Sequence, residues 1–273
     1  MIDYKKKITL NKNIITTYKK LNDLNLNTIC VEGNCPNIGE CFSKGKMTFL
    51  ILGDICTRNC LYCSVKKHRS GRELDFTTID NIIKIIALNN LKSIVVTSVT
   101  RDDLDDGGSS YYVKLCEEVK SLKKDLFIEI LTPDFGYKNC SIEMIVSSKA
   151  DILSHNVELA KSIYRKYRPN GDYNKSLDIL KIYSKSNKKS KSAFMIGLGE
   201  SDYDIKQTIE DIANTGVDYL SIGQYIAPSK KHLKPVKYYS HYEFKILENW
   251  VIENFDFKKV DISFYSRSSY MDA

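Results

Sequence analysis

Residues Met47 to Cys63 read M-T-F-L-I-L-G-D-I-C-T-R-N-C-L-Y-C. The stretch Thr48 to Leu52 is apolar and β-branched, with the length of a buried strand. Three cysteines follow it directly, Cys56, Cys60 and Cys63, spaced C-x-x-x-C-x-x-C. In parallel α/β sheets the active site lies at the carboxyl ends of the strands, so a strand that runs straight into three potential ligands points to that architecture.

Downstream, strand-like and helix-like segments alternate. Further strands are expected at Ser93 to Val99, Phe127 to Leu131, Asp151 to Ser154, Ala193 to Ile196 and Tyr219 to Ile222, with an added strand at Val260 to Tyr265. Ile79, Ile82, Ile83 and Ile86 form one helical stripe behind Thr77 and Thr78 as caps; Tyr112, Leu115, Cys116, Val119 and Leu122 form another. The alternation implies an α/β fold with crossover helices, and six units imply a partial (β/α)6 TIM-like barrel. Residues 1–45 read as a polar N-terminal extension, 46–259 as the barrel and 260–273 as a C-terminal closing segment. Polar clusters recur at strand ends, at Thr97 to Asp106, Thr132 to Asp134, His155 and Asn156, Gly197 to Glu200, and Gln224. Lys185 to Lys191 reads as a solvated loop.

Hydrophobic residues make up 42% of the 273, normal for a globular chain with a substantial core. No run of eighteen apolar residues implies a membrane span. The N-terminus lacks the apolar core of a secretory signal, and the first arginine is Arg58, unlike a mitochondrial presequence. A cytoplasmic protein is expected, most simply a bacterial one. The net charge of +7 is modest for this length, and no nucleic-acid partner is expected.

A second group of cysteines, Cys30, Cys35 and Cys41, lies upstream in C-V-E-G-N-C-P-N-I-G-E-C. Clustered cysteines in an intracellular chain more often bind metal or do catalysis than form disulfides. Zinc sites usually close with four ligands. Three thiolates without an obvious local fourth suit a 4Fe–4S cluster with one corner held by something else. Of the remaining cysteines, Cys116 reads as core, and Cys140 as local packing ahead of a helix at Ser141.

The C-x-x-x-C-x-x-C loop after a first barrel strand resembles that of radical S-adenosylmethionine (SAM) enzymes. On that resemblance Cys56, Cys60 and Cys63 hold a 4Fe–4S cluster whose open iron binds SAM, and Tyr62 lies near the adenine or packs the barrel mouth. The upstream triad, together with L-G-D-I-C-T-R-N-C, T-S-V-T-R-D-D-L-D-D-G-G, L-T-P-D-F, G-L-G-E, I-G-Q-Y and R-S-S-Y, resembles the lipoyl synthase family along nearly the whole chain. That family inserts two sulfur atoms at carbons 6 and 8 of an octanoyl group held on a carrier lysine, consuming two SAM. The resemblance implies a second, auxiliary 4Fe–4S cluster on Cys30, Cys35 and Cys41, with Ser268 as its fourth ligand and sulfide as its contribution.

The resemblance also implies partners: octanoylated lipoyl domains or the glycine-cleavage H protein, an electron donor such as ferredoxin or flavodoxin, and an iron–sulfur cluster carrier. Lipoyl domains are often acidic, so Lys5, Lys6 and Lys7 are expected to favour docking. Candidate SAM contacts are Ser98, Arg101, Asp102, Asn156, Gly197 and Gly199. Asp102, Asp103, Asp105 and Asp106 also fit a solvated loop or a helix cap, Gly107 and Gly108 a simple turn, and His155 a brace at the barrel mouth. Arg267 fits either the site or the positioning of the C-terminal segment by pairing with an acidic side chain.

The chain departs from the family at Ser154, where asparagine is usual, at Leu159, where threonine is usual, and at R-S-S-Y-M-D-A, where R-S-S-Y-H-A is usual. Other sulfur-inserting radical SAM enzymes, biotin synthase and the tRNA methylthiotransferases, fit less well: the first lacks such an N-terminal triad, and the second carry domains this chain has no room for. A colourless zinc module on nucleic acid is the rival from another class.

Overall fold

The computed structural model describes residues 12–44 and 46–269. Lys5, Lys6, Lys7 and Tyr270 lie outside the described residues. The chain divides into two compact units, Met1–Arg58 with Ser64–Asp151, and Asn59–Cys63 with Ile152–Ala273.

In the first unit, α1 (Lys12–Asp23), α2 (Ile29–Glu32) and α3 (Ile38–Ser43) precede β1 (Thr48–Ile51). The described part of the expected polar extension, residues 12–44, thus carries three helices and takes part in the core. Ile14 and Leu21 of α1 and Ile38 and Phe42 of α3 are buried, and Tyr18 meets Phe42 edge-on. The chain between α1 and α2 joins β1 through the antiparallel bridge of Thr28 with Phe49. A two-stranded ribbon follows, β2 (Ile55–Cys56) and β3 (Lys66–Lys67), then α4 (Thr77–Leu88), β4 (Ser93–Ser98), α5 (Ser109–Leu122), β5 (Phe127–Leu131) and α6 (Asn139–Ser147).

β4 is paired in parallel with β1 on one side and β5 on the other. The register sets Phe49, Ile51, Val96, Ile128 and Ile130 on one face of these strands, each 0% exposed, while the other face carries Leu50 with the buried polar Thr48, Thr97 and Glu129. α4 packs on Ile79, Ile82, Ile85 and Ile86, so Ile85 takes the place expected of the half-buried Ile83. Thr77 and Thr78 are inside the helix, and Asp75 accepts from the Thr77 backbone N–H instead. α5 buries Tyr112, Leu115, Cys116 and Val119 as its stripe implied, while Leu122 is exposed at the end. Cys140 is exposed on α6, which corrects its reading as packing.

The second unit runs β6 (Ile152–Ser154), α7 (Lys161–Tyr167), α8 (Tyr173–Ser184), β7 (Lys189–Ile196), α9 (Asp202–Ala213), β8 (Tyr219–Gln224), α10 (His241–Asn254) and β9 (Lys259–Ser263). Its four strands are parallel in chain order. Ser201 with Asp204, and Ser240 with Glu243, form capping boxes that start α9 and α10. β7 begins at Lys189, and Lys191 is 1% exposed, so the expected solvated loop ends sooner than its charge suggested. The register sets Lys191, Tyr219, Ser221, Asp261 and Ser263 on one face of the sheet, and Lys191 lies within electrostatic range of Asp261. Among the described residues no helix is long and apolar enough to cross a membrane.

Of the seven non-glycine residues in the left-handed region among the described residues, four lie in loops that follow strands: Leu52 after β1, Phe135 and Tyr137 after β5, and Glu158 after β6. Such conformations cost about 1–3 kcal/mol each and persist where the surroundings over-determine them, typically around functional sites.

Candidate functional site

The upstream triad is built by two short helices. Thr28 caps α2, its hydroxyl accepting from the Val31 N–H. Cys30 is on α2, and the Cys35 N–H donates to the Cys30 carbonyl as the chain turns toward α3, which carries Cys41. All three sulfurs lie within electrostatic reach of one another. Burial, with the nearby Cys35, pushes the Cys30 thiol up to about 11. Burial, with Cys30 and Cys35, pushes Cys41 up to about 12. All eight cysteines are thiols rather than disulfides.

In the downstream triad, Cys56 ends the short β2, and its sulfur accepts from the Arg58 N–H at 3.4 Å. Arg58 belongs to the same loop and forks between two carboxylates of the first unit. Its Nη2 donates to Asp102 at 2.7 Å and to Asp134 at 2.9 Å, and its Nη1 to Asp134 at 3.1 Å. Burial opposes its charge, but Asp102 and Asp134 more than offset that and hold Arg58 more firmly protonated than usual. Asp134 in turn accepts from the Gly136 N–H in the left-handed turn after β5.

Cys60 and Cys63 belong to the second unit, joined by a tight turn in which the Cys63 N–H donates to the Cys60 carbonyl. The Leu61 N–H anchors this turn to the Tyr167 carbonyl at 2.9 Å. Tyr62, half-buried, sits among Glu158, Cys60, Arg168 and Cys63; burial first and then Glu158 raise its phenol well above the usual range. Glu158 is itself raised by burial, against the pull of Arg168 and of a hydrogen bond from Asn156. Tyr225 stands near Cys63 with its hydroxyl buried and unpartnered, and burial pushes it up to about 12.

The other expected site residues divide into two kinds. Ser98 at the end of β4 and Asn156 after β6 each have a buried side-chain oxygen without a hydrogen-bond partner. A polar ligand would satisfy such atoms. Arg101 and Asp102, by contrast, are engaged within the protein. Arg101 is 3% exposed and bonds Asp103 and the Leu52 carbonyl. Asp102 holds Arg58 and Thr57. Asp106 caps the start of α5 through the Ser110 N–H, the helix-cap role open to it from sequence. Gly197 has φ +108, and a Cβ there would strike the Gln224 side chain and the Lys237 carbonyl. Glu200 clasps the same turn through the Gly197 and Leu198 N–H groups. His155 is buried and its backbone N–H donates to the Lys191 carbonyl. Ser268 is 8% exposed, with its hydroxyl buried and unpartnered, while Arg267 donates to the neighbouring Ser266 carbonyl.

Among the described residues no three His, Cys, Asp or Glu side chains converge as on a single metal ion. A cubane asks something different, because each thiolate binds its own iron and the sulfurs stand further apart. The grouped thiols of Cys30, which is buried, and of the half-buried Cys35 and Cys41, and separately the unpartnered Ser268 hydroxyl, suit such a group.

The radical SAM superfamily profile matches residues 50–212. A lipoyl synthase of Caldicellulosiruptor saccharolyticus is 40% identical over 267 residues, 97% of this chain and 93% of that protein. A lipoyl synthase of Polaromonas naphthalenivorans is 42% identical over 254 residues, 92% of this chain and 76% of that one. The chain belongs to the lipoyl synthase family. Membership of this radical SAM family implies a 4Fe–4S cluster and SAM. Solved structures agree on the fold. Streptococcus suis SuiB bound to S-adenosylmethionine gives a TM-score of 0.61 at 14% identity over 84% of this chain. HydG, a maturase of the FeFe hydrogenase, gives 0.62 at 15% over 78%. The chain spans 53% and 50% of those two chains, respectively. The α/β radical SAM fold, of the partial TIM-barrel type, is therefore the one the lipoyl synthase motifs implied.

Sequence reading passed over Arg58, Glu158 and Tyr225. The two aspartates that hold Arg58 sit at strand-end motifs, T-R-D-D and L-T-P-D, and that shared placement was the available signal.

Proposed function

We propose that this chain inserts two sulfur atoms, at carbons 6 and 8, into an octanoyl group carried on a lysine of a partner protein, consuming two SAM. The observation that carries the reading is the gathering of Cys30, Cys35 and Cys41 by α2 and α3, a second thiol set in addition to the C-x-x-x-C-x-x-C loop. When bound, the two clusters and SAM supply a carbon radical able to take hydrogen from an unactivated C–H bond, and the sulfide that replaces it.

The chain's own residues hold, orient and shield. Cys56, Cys60 and Cys63 hold the SAM-binding cluster, with Arg58 fixing one end of their loop and the Leu61–Tyr167 bond the other. Cys30, Cys35, Cys41 and Ser268 hold the auxiliary cluster. Tyr62, Ser98, Asn156, Gly197 and Gly199 would serve SAM, whereas Arg101 and Asp102 brace neighbouring loops through the Leu52 carbonyl and Arg58. Octanoylated lipoyl domains or the H protein are the carriers; a ferredoxin or flavodoxin and an iron–sulfur carrier supply electrons and new clusters. The protein's catalytic contribution is positioning and exclusion of water.

Anaerobic reconstitution with iron, sulfide, SAM, reductant and an octanoyl-lysine peptide tests this by mass spectrometry. Dithiolated peptide with deoxyadenosine is expected; deoxyadenosine without sulfur incorporation overturns the reading. Ser268→Ala should still cleave SAM but fail to complete the product, and normal lipoyl yield from it removes Ser268 from the ligand set.

A further inference from the structure

After β9 the chain turns at Ser263, where the Ser266 N–H donates back to the Ser263 carbonyl at 3.2 Å, and passes over Gly223 of β8. A Cβ at Gly223 would lie well inside van der Waals contact of the Ser266 carbonyl oxygen, 2.7 Å from Arg267 Nη1 and 3.1 Å from the Ser266 carbonyl carbon. The backbone oxygen in that contact is not the far end of a flexible side chain and has no rotamer through which to withdraw. Unlike Gly197, Gly223 is required by close approach alone.

The passing segment is also fastened by hydrogen bonds. The Ser266 hydroxyl bonds Asp261 Oδ1 at 2.5 Å and the Ser263 hydroxyl at 2.7 Å, and Arg267 donates to the Ser266 carbonyl at 2.6 Å. The Gln224 N–H, next to the glycine, donates to the Phe264 carbonyl at 3.2 Å. Two residues beyond Ser266 stands Ser268, its hydroxyl buried and unpartnered.

We infer that Gly223 and Ser266 are positioning residues that seat the 263–268 segment against β8 so that the Ser268 hydroxyl reaches the auxiliary cluster. The inference rests on the reading of Ser268 as a cluster ligand. Gly223 gives the I-G-Q-Y motif a task toward R-S-S-Y: it supplies the room in which that segment lies.

The test uses the full-length, anaerobically reconstituted protein carrying Ser268→Cys, read by thiol alkylation and mass spectrometry with and without iron. The introduced thiol should be protected from alkylation in an iron-dependent way. Adding Gly223→Ala should abolish that protection, while circular dichroism and iron-dependent protection of Cys60 and Cys63 are retained. A purely structural role would move those last two readouts as well. If the introduced thiol is labelled equally with and without iron while Gly223 is intact, the ligand reading fails and this inference with it. Iron-dependent protection that persists in Gly223→Ala overturns the positioning role alone. Should Gly223→Ala fail to fold, Ser266→Ala decides. It leaves the glycine intact and removes both hydroxyl bonds, so loss of protection at the introduced thiol supports the seating and retained protection overturns it.

Discussion

Arg58 shows how much one side chain can fix at a cluster loop. It stands midway between Cys56 and Cys60 in the sequence, and its guanidinium is shared by two carboxylates, one of them with a fully buried side chain. Only arginine offers a planar fork with donors on both sides. Removing it strands the Asp134 charge, and breaking a buried pair from one side costs about 3–5 kcal/mol. Arg58→Ala should therefore lower unfolding free energy by about that amount in urea titration and reduce iron bound by the C-x-x-x-C-x-x-C loop. Arg58→Lys should recover only part, because an ammonium cannot bridge both aspartates in the same geometry. Wild-type stability in Arg58→Ala would show the fork to be dispensable. The cysteines were legible because ligand spacing is local, six sulfurs within one stretch. Arg58 was not, because its partners are 44 and 76 residues away. Ser268 is proposed as a ligand only through family likeness, since a serine near a terminus has no pattern of its own.

Elements were legible where the apolar period was long or the strand wholly buried. α4 and α5 announced themselves by repeated isoleucines and a tyrosine–leucine–valine stripe, and the strands by β-branched runs. α2 and α3 are too short, at four and six residues, to show a helical period. α1 did carry one, Ile14, Tyr18 and Leu21 at i, i+4 and i+7, obscured by its lysines. Lys191 misled for the opposite reason: its charge reads as solvent, yet it lies inside a strand within range of Asp261. The start of α10 offers a test at this scale. Lys237 first, with the Ser240 backbone and hydroxyl, holds the Glu243 carboxyl down at about 2. A folded value below the unfolded glutamate value of about 4.3 means stability that is present above that pH and lost as pH falls toward about 2. The melting-temperature gap between wild type and Glu243→Gln should be full above about pH 5 and close on acidification. Ser240→Ala, which removes the cap itself, should cost about 1 kcal/mol. A gap that widens on acidification would contradict the assignment.

For the whole molecule, strand–helix alternation with ligands after the first strand was enough to read the α/β class, because crossover connections and strand-end sites follow from how parallel sheets are covered. The activity was readable only through the ordered set of motifs. Pocket-level roles such as those of Arg101 and Asp102 depended on which charges meet in space. What composition does bear on is encounter with the carrier. A net charge of +7 and a pI near 8.8 give a chain that attracts an acidic partner from a distance. That attraction acts over roughly 10 Å at 0.1 M salt and shrinks to about 3 Å at 1 M, so screening should slow association more than it alters the chemistry. KM for an octanoylated acidic lipoyl domain should therefore rise between about 0.05 and about 0.5 M potassium chloride, while KM for a short uncharged octanoyl-lysine peptide stays level. The peptide is the control for salt acting on the clusters or on SAM binding. If carrier and peptide respond alike, the net positive charge plays no part in docking, and recognition rests on the acyl-lysine arm alone.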